Sequence, residues 1–407
     1  MSKSKQTGGV SRRQMLKLSA AGAAGLTLLK RTSEARPTPN DAFIDTSRVE
    51  RIADRDSSIH PPLLIDLQTH VWWREGGVAK MNARAEAFLK GMAGYRAAFT
   101  GRPVPVADMG RVMFFDDLFL KSETDIAFLN SFGMKGAYDG IDLFPPREAA
   151  KIRSMAPARI KVLGCVDPPD GQSAVESLIY QCETLKIDGL KLYPPGMDTR
   201  GWHMDDEKNT YPLYQVLRKH GVKNICVHKG LPGAFIEEYC HPGDMIRAAA
   251  DFPDLNFIAF HSAYPYEMEL AEGARKAKVK NVYAELGALA SIMVTEPTRY
   301  AHLLGRLLDG LGEDHIFWGT DTPIFGPPHW AIESFQTYKI PDEIVEKNKY
   351  PQLTDQAREK ILCHNAAKAF NIDIIAAKKA VEGDLLYKLR TDGNPLPVTV
   401  DTGKLKR

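Results

Sequence analysis

Cysteine is scarce in this 407-residue chain, and the five present (Cys165, Cys182, Cys226, Cys240, Cys363) are widely spaced with no C-x-x-C pair. An odd, scattered set argues against a disulfide framework and a zinc knuckle, and reads as packing thiols. Charge of one sign is lacking too: 53 Lys and Arg stand against 51 Asp and Glu. With no basic patch, no RNP-like aromatics and no charge run, nucleic acid is excluded as an expected partner. Beyond residues 1–35 no apolar run is long, which leaves no internal membrane span. What is there, 44% hydrophobic and 26% charged residues, is the composition of a globular protein with ample core.

Residues 1–35 stand apart. Arg12 and Arg13 precede a modest apolar run from Leu18 to Leu29, and Ser33-Glu34-Ala35 offers a small-x-small cleavage site. The run is short for a membrane span. The pairing resembles a twin-arginine export signal, which implies the twin-arginine translocation machinery as a partner and a periplasmic or otherwise exported location. A plain amphipathic or disordered tail is the alternative. The segment holds seven basic residues and one acidic, which leaves 46 against 50 and a formal −4 for the rest. Residues 36–61, polar with Pro37-x-Pro39, read as a linker.

From residue 62 onward, short apolar runs alternate with amphipathic stretches. Leu63–His70 reads as a first strand, followed by a long insertion over residues 72–123 with a helix at Ala79–Met92 and a Gly-Arg-Pro-Val-Pro break. Asp125–Asn130, Lys161–Asp167, Asp188–Tyr193, Asn224–His228, Asn256–His261, Val282–Gly287 and Ile316–Asp321 read as seven more strands. Helices are expected between them (Arg147–Met155, Ser173–Leu185, Leu213–His220, Met245–Asp251, Glu267–Lys276, Arg299–Leu308), with a closing helix at Asp355–Phe370. Strands that are continuously apolar argue for a buried parallel sheet, and eight repeats favour a closed (β/α)8 barrel over an open sheet. Residues 373–407 show weak periodicity and read as a partly ordered arm, a candidate for homo-oligomer contacts.

In such a barrel the carboxyl ends of all strands open onto one mouth. Those ends carry Gln68 and His70, then Lys191, His228, His261, Glu285 and Asp321. Taken singly, each has a plain structural explanation, such as a satisfied strand-end histidine. Their convergence points to a site for a small-molecule substrate. Gln68 and His70, two apart in a strand, project together as potential metal donors.

The ordered set of a strand-1 x-His, His228-Lys229-Gly230, His261 and Gly319-Thr320-Asp321-x-Pro323 resembles the amidohydrolase superfamily. Gly189-Leu190-Lys191-Leu192-Tyr193-Pro194 and Asn365-Ala366-Ala367-Lys368 add to the likeness, which covers residues 62–372. It is nearest the amidohydrolase-related branch that includes aminocarboxymuconate-semialdehyde decarboxylase. The resemblance implies one divalent ion, zinc first and manganese or another harder ion next, held by His70, His228 and Asp321 with Gln68 at the first ligand position. It also implies that His261 polarises substrate or moves protons, and that Asp321 takes the proton of a metal-activated water. Gln68 departs from the usual His or Glu, and a neutral amide oxygen is a weaker ligand.

Lys191 fits a substrate carboxylate or, carbamylated, a bridge between two metals; its plain reading is a salt bridge to Asp188 or Glu285. Trp72, Trp73, Tyr193, Trp202 and His203 line an aromatic pocket or simply pack. The first expectation is metal-assisted hydrolysis of a small amide, ester or lactone. Non-oxidative decarboxylation of an unsaturated or aromatic acid is the second, and a non-catalytic periplasmic binding protein the third.

Overall fold

The computed structural model describes residues 59–391 apart from 75 and 199. The export signal, nearly all of the linker and the end of the arm therefore lie outside the described residues. Eight parallel strands run in sequence order: β1 (Ile65–Thr69), β2 (Ile126–Asn130), β3 (Ile160–Cys165), β4 (Gly189–Leu192), β5 (Asn224–His228), β6 (Asn256–Phe260), β7 (Val282–Glu285) and β8 (Ile316–Phe317). The chain after β8 completes the circle. Leu67 N donates to Trp318 O at 3.1 Å, Asp321 N to Gln68 O at 2.8 Å and His70 N to Thr322 O at 2.8 Å. A (β/α)8 barrel results, as the alternation predicts.

Period-2 alternation sorts β1. Leu63, Ile65 and Leu67 cluster with Cys363, Ala366 and Ala367 of the closing helical segment, while Asp66, Gln68 and His70 turn to the polar centre. All five cysteines are buried and unbridged.

Most strands are shorter at an end than the sequence predicts, and at two of them a backbone turn separates the strand from its site residue. At His261 and Asp321 the backbone turns left-handed, with φ of 61° and 64°, a conformation incompatible with a continuing strand. Both residues therefore sit on turns just past β6 and β8.

The insertion helix runs Ala83–Thr100 rather than Ala79–Met92, because Asn82 caps it by accepting from Ala85 N at 2.9 Å and left-handed Gly101 ends it. Its Arg96 binds Asp117 at 2.6 Å and the carbonyl of Pro323 at 2.7 Å, both buried, which fixes the insertion over the mouth. Within the segment expected to be a partly ordered arm, the described residues form a pair of helices, Ile374–Glu382 and Leu385–Thr391. Buried Arg159 holds Asp384 at 2.5 and 3.0 Å, and Phe370 packs on Phe128 with ring centres 4.3 Å apart. The helical pair docks on its own barrel. No helix among the described residues is long and apolar enough to cross a membrane.

Candidate active site

The strand ends bring Gln68, His70, His228, His261 and Asp321 into one buried group. Gln68 Nε2 lies 3.1 Å from Asp321 Oδ1 and 3.3 Å from His261 Nε2. His70 Nε2 lies 3.2 Å from the same Oδ1. His261 Nδ1 donates to Gly287 O at 2.9 Å, and its ring stands 4.8 Å from that of His228, edge to face. Burial lowers the pKa of His70, His228 and His261, that of His261 to about 4, against the opposing pull of Asp321 on His70 and His261. All three imidazoles are neutral near pH 7.

Two further carboxylates underlie this layer. Asp66, whose place two residues before Gln68 was the signal that could have found it, accepts from Gln68 N (3.1 Å), Thr320 N (3.0 Å) and the Thr320 hydroxyl (2.5 Å). Burial outweighs these bonds and raises its pKa to about 7. Glu285 accepts from His261 N at 3.2 Å, and burial pushes its carboxyl well above the ordinary range. Glycines make room for it: a Cβ at Gly319 would stand 1.7 Å from Glu285 Oε1.

Lys191 is fully buried, and its ammonium makes no hydrogen bond among the described residues. Neither Asp188 nor Glu285 pairs with it; Asp188 instead accepts from Val162 N at 2.8 Å. The Nζ lies 3.7 Å from the ring centre of Phe260 and 4.8 Å from that of Tyr193. Burial lowers its pKa to about 7. The Tyr193 hydroxyl is likewise buried without a partner. Trp72 stacks on His70 at 4.3 Å and packs with Phe88 and Phe132, while Phe235 lies 4.2 Å from His228. These aromatics roof the centre. Phe132 and Phe235 carry no sequence signal that would have singled them out. Beside it, Tyr193 and Trp202 line a small surface cleft with Asp167, Asp198 and Arg200.

His203 does not join the centre. Its side chain is 48% exposed and lies 3.7 Å from Asp244. With Asp205 and Asp244 it forms the one trio of His, Cys or carboxylate ligand atoms, among the described residues, lying within 4.8 Å of one another. Those carboxylates are already matched by cations, Asp244 by Lys229 at 2.6 Å and Asp205 by Arg247 at 2.5 Å. By the same measure the expected ion-binding set of His70, His228 and Asp321 is not gathered. His70 and Gln68 are turned onto Asp321, and His228 Nε2 is left unpartnered. The donor types suit a divalent ion, but their arrangement does not fit one.

A parallel eight-stranded barrel with three histidines and an aspartate converging on its carboxyl-terminal mouth defines a class of barrel enzymes that act on small molecules. The chain belongs to the amidohydrolase family: the family model described as Amidohydrolase matches residues 65–372. Solved structures of similar fold include an uncharacterized TIM-barrel protein from Bordetella bronchiseptica, 18% identical with a TM-score of 0.54, covering 78% of this chain and 99% of that one. The 5-carboxyvanillate decarboxylase of Sphingomonas paucimobilis is 16% identical with a TM-score of 0.50, covering 76% and 99%. Protein fluG of Emericella nidulans is 26% identical over 137 residues, which are 33% of this chain and 15% of that relative.

Proposed function

We propose that this enzyme is a carboxy-lyase that removes carbon dioxide from a planar unsaturated or aromatic acid. The observation that carries the reading is Lys191, a fully buried amine without a hydrogen-bond partner, set against the faces of Phe260 and Tyr193 beside the cleft that Tyr193 lines. A buried cation beside aromatic walls suits a conjugated anion. The fold relative named as a carboxyvanillate decarboxylase carries the chemistry this pocket suits.

In the reaction, the bond to the carboxyl carbon breaks and its electron pair passes into the conjugated system. Carbon dioxide leaves, and the vacated carbon takes a proton. Lys191 stabilises the delocalised negative charge that develops, and the free Tyr193 hydroxyl donates to a substrate oxygen. The Lys191 ammonium, whose pKa burial lowers to about 7, delivers the proton, and solvent later restores it. Burial of the surrounding side chains favours this loss, because the charge of the carboxylate is more dispersed in the transition state.

Hydrolysis, the first expectation from the sequence, is less well served. Asp321 Oδ1 already faces His70 and Gln68, so it is poorly placed to draw a proton from water. Export by the twin-arginine route, on Arg12 and Arg13, is proposed from the sequence. Incubating the purified chain in deuterated buffer with a panel of hydroxylated benzoates and unsaturated acids, read by carbon dioxide release and proton NMR, tests the chemistry. The expected result is carbon dioxide with one deuteron at the vacated carbon. Turnover of neutral amides, esters or lactones instead would reverse the order of the readings. Tight binding without turnover would make the protein a binding module.

A further inference from the structure

Gln68 stands where the family resemblance implies a metal ligand, and the hydrogen bonds around it fix which way its amide faces. His261 Nδ1 lies 2.9 Å from the carbonyl of Gly287. A carbonyl only accepts, so Nδ1 carries the proton and, in the neutral ring, Nε2 presents a lone pair. The other neighbour of the amide, Asp321 Oδ1, is an acceptor as well. Turned with its oxygen toward them, the amide would set lone pairs against lone pairs at 3.1 and 3.3 Å. Its NH2 group therefore faces both, one hydrogen for each.

The amide oxygen then points away, toward Gly287, where a Cβ would stand only 2.0 Å from it. His70 completes the arrangement from the other side, 3.2 Å from the same Oδ1. Two N–H groups thus converge on the carboxylate oxygen that a cation would use, and a third lone pair, on His261, is taken by the same amide. His228 Nε2 remains buried without a partner, and the His70, His228 and Asp321 ligand atoms do not all lie within 4.8 Å of one another.

We infer that the amide of Gln68 takes the place of the ion: it bridges Asp321 and His261 as a double hydrogen-bond donor, and the centre holds no resident divalent metal. Gln68 is accordingly a positioning residue. It orients the carboxylate, and it holds His261 in the tautomer protonated on Nδ1.

The test uses the full chain, stripped with chelator and then dialysed against zinc and, separately, manganese, with metal read by elemental analysis and affinity by calorimetry. Wild type is expected to retain no stoichiometric ion that depends on His228. Gln68→His is expected to gain one zinc equivalent, with affinity raised by about a hundredfold, the size of other changes around metal ligands. Adding His228→Ala should remove that gain. One equivalent in wild type that is lost in His228→Ala would overturn the inference, and so would a Gln68→His variant that folds and gains nothing. Nitrogen-15 NMR of wild-type imidazoles gives a reading that needs no variant. His261 should appear as the Nδ1–H tautomer with shifts unmoved by zinc. An Nε2–H tautomer, or a resonance moved by stoichiometric zinc, would also overturn it.

Discussion

Replacing Lys191 with Met should make this protein more stable and less able to bind an anion. The ammonium is buried without a hydrogen-bond partner, and its pKa falls from 10.5 to about 7 chiefly through burial. At about 1.4 kcal/mol per unit, holding this charge costs on the order of 5 kcal/mol where the lysine is protonated in both folded and unfolded chains. Loss of the contacts to Phe260 and Tyr193 returns roughly 0.5–2 kcal/mol of that, so the Met variant should gain about 3 kcal/mol. The sign sets the pH dependence. A lysine whose folded pKa is lowered destabilises fully below about pH 7, and the penalty fades as pH rises toward 10.5. Urea unfolding of wild type and variant should therefore show a gap of about 3 kcal/mol at about pH 6 that shrinks to roughly half at about pH 9.5, where about one unit of unfolded-state titration remains. Affinity for an aromatic carboxylate should fall at least about tenfold in the same variant, as expected for a lost hydrogen bond to a charged group. A variant no more stable than wild type at the lower pH, or a gap that ignores pH, would refute this account of Lys191.

His261→Asn should lower turnover by roughly one to two powers of ten with little change in fold, the size of a lost partner that orients reactive groups, here the Gln68 amide and through it Asp321. Because burial lowers its pKa to about 4, the wild-type rate profile should carry no inflection from His261 above about pH 5. Arg96→Met leaves Asp117 buried opposite no cation and should cost about 3–5 kcal/mol in chemical denaturation; a loss below 1 kcal/mol, about that of an exposed pair, would make the Arg96–Asp117 pair incidental. Exchanging Arg12 and Arg13 for Lys should leave the protein in the cytoplasm on cell fractionation, and normal export of that variant would remove the twin-arginine reading.

The barrel was legible because its signal is local. β5 begins and ends where the apolar run Asn224–His228 does, and each neighbouring strand repeats that pattern. What the pattern could not give depends on distant partners. The left-handed turns at His261 and Asp321 set these residues outside β6 and β8 without changing the apolar pattern. The two C-terminal helices draw on contacts such as Arg159 with Asp384, 225 residues apart. Candidate site residues at strand ends were readable because the fold sends them all to one face. His203, in the loop after β4, could not be placed that way, since loop direction follows packing. The facing of the Gln68 amide is set by His261 and Asp321, 193 and 253 residues further on, and no local pattern encodes it.

Arg96 grips two things at once: its own helix, whose Phe88 packs on the roofing Trp72, and the carbonyl of Pro323, two residues past Asp321. The roof and the reactive carboxylate are thus joined by a single latch. A displacement of the Ala83–Thr100 helix large enough to admit a molecule also lets go of the segment carrying Asp321. Any change in the seating of that helix is thereby passed on to the carboxylate, so the cover of the centre and the register of Asp321 with His70 and Gln68 are one structural variable.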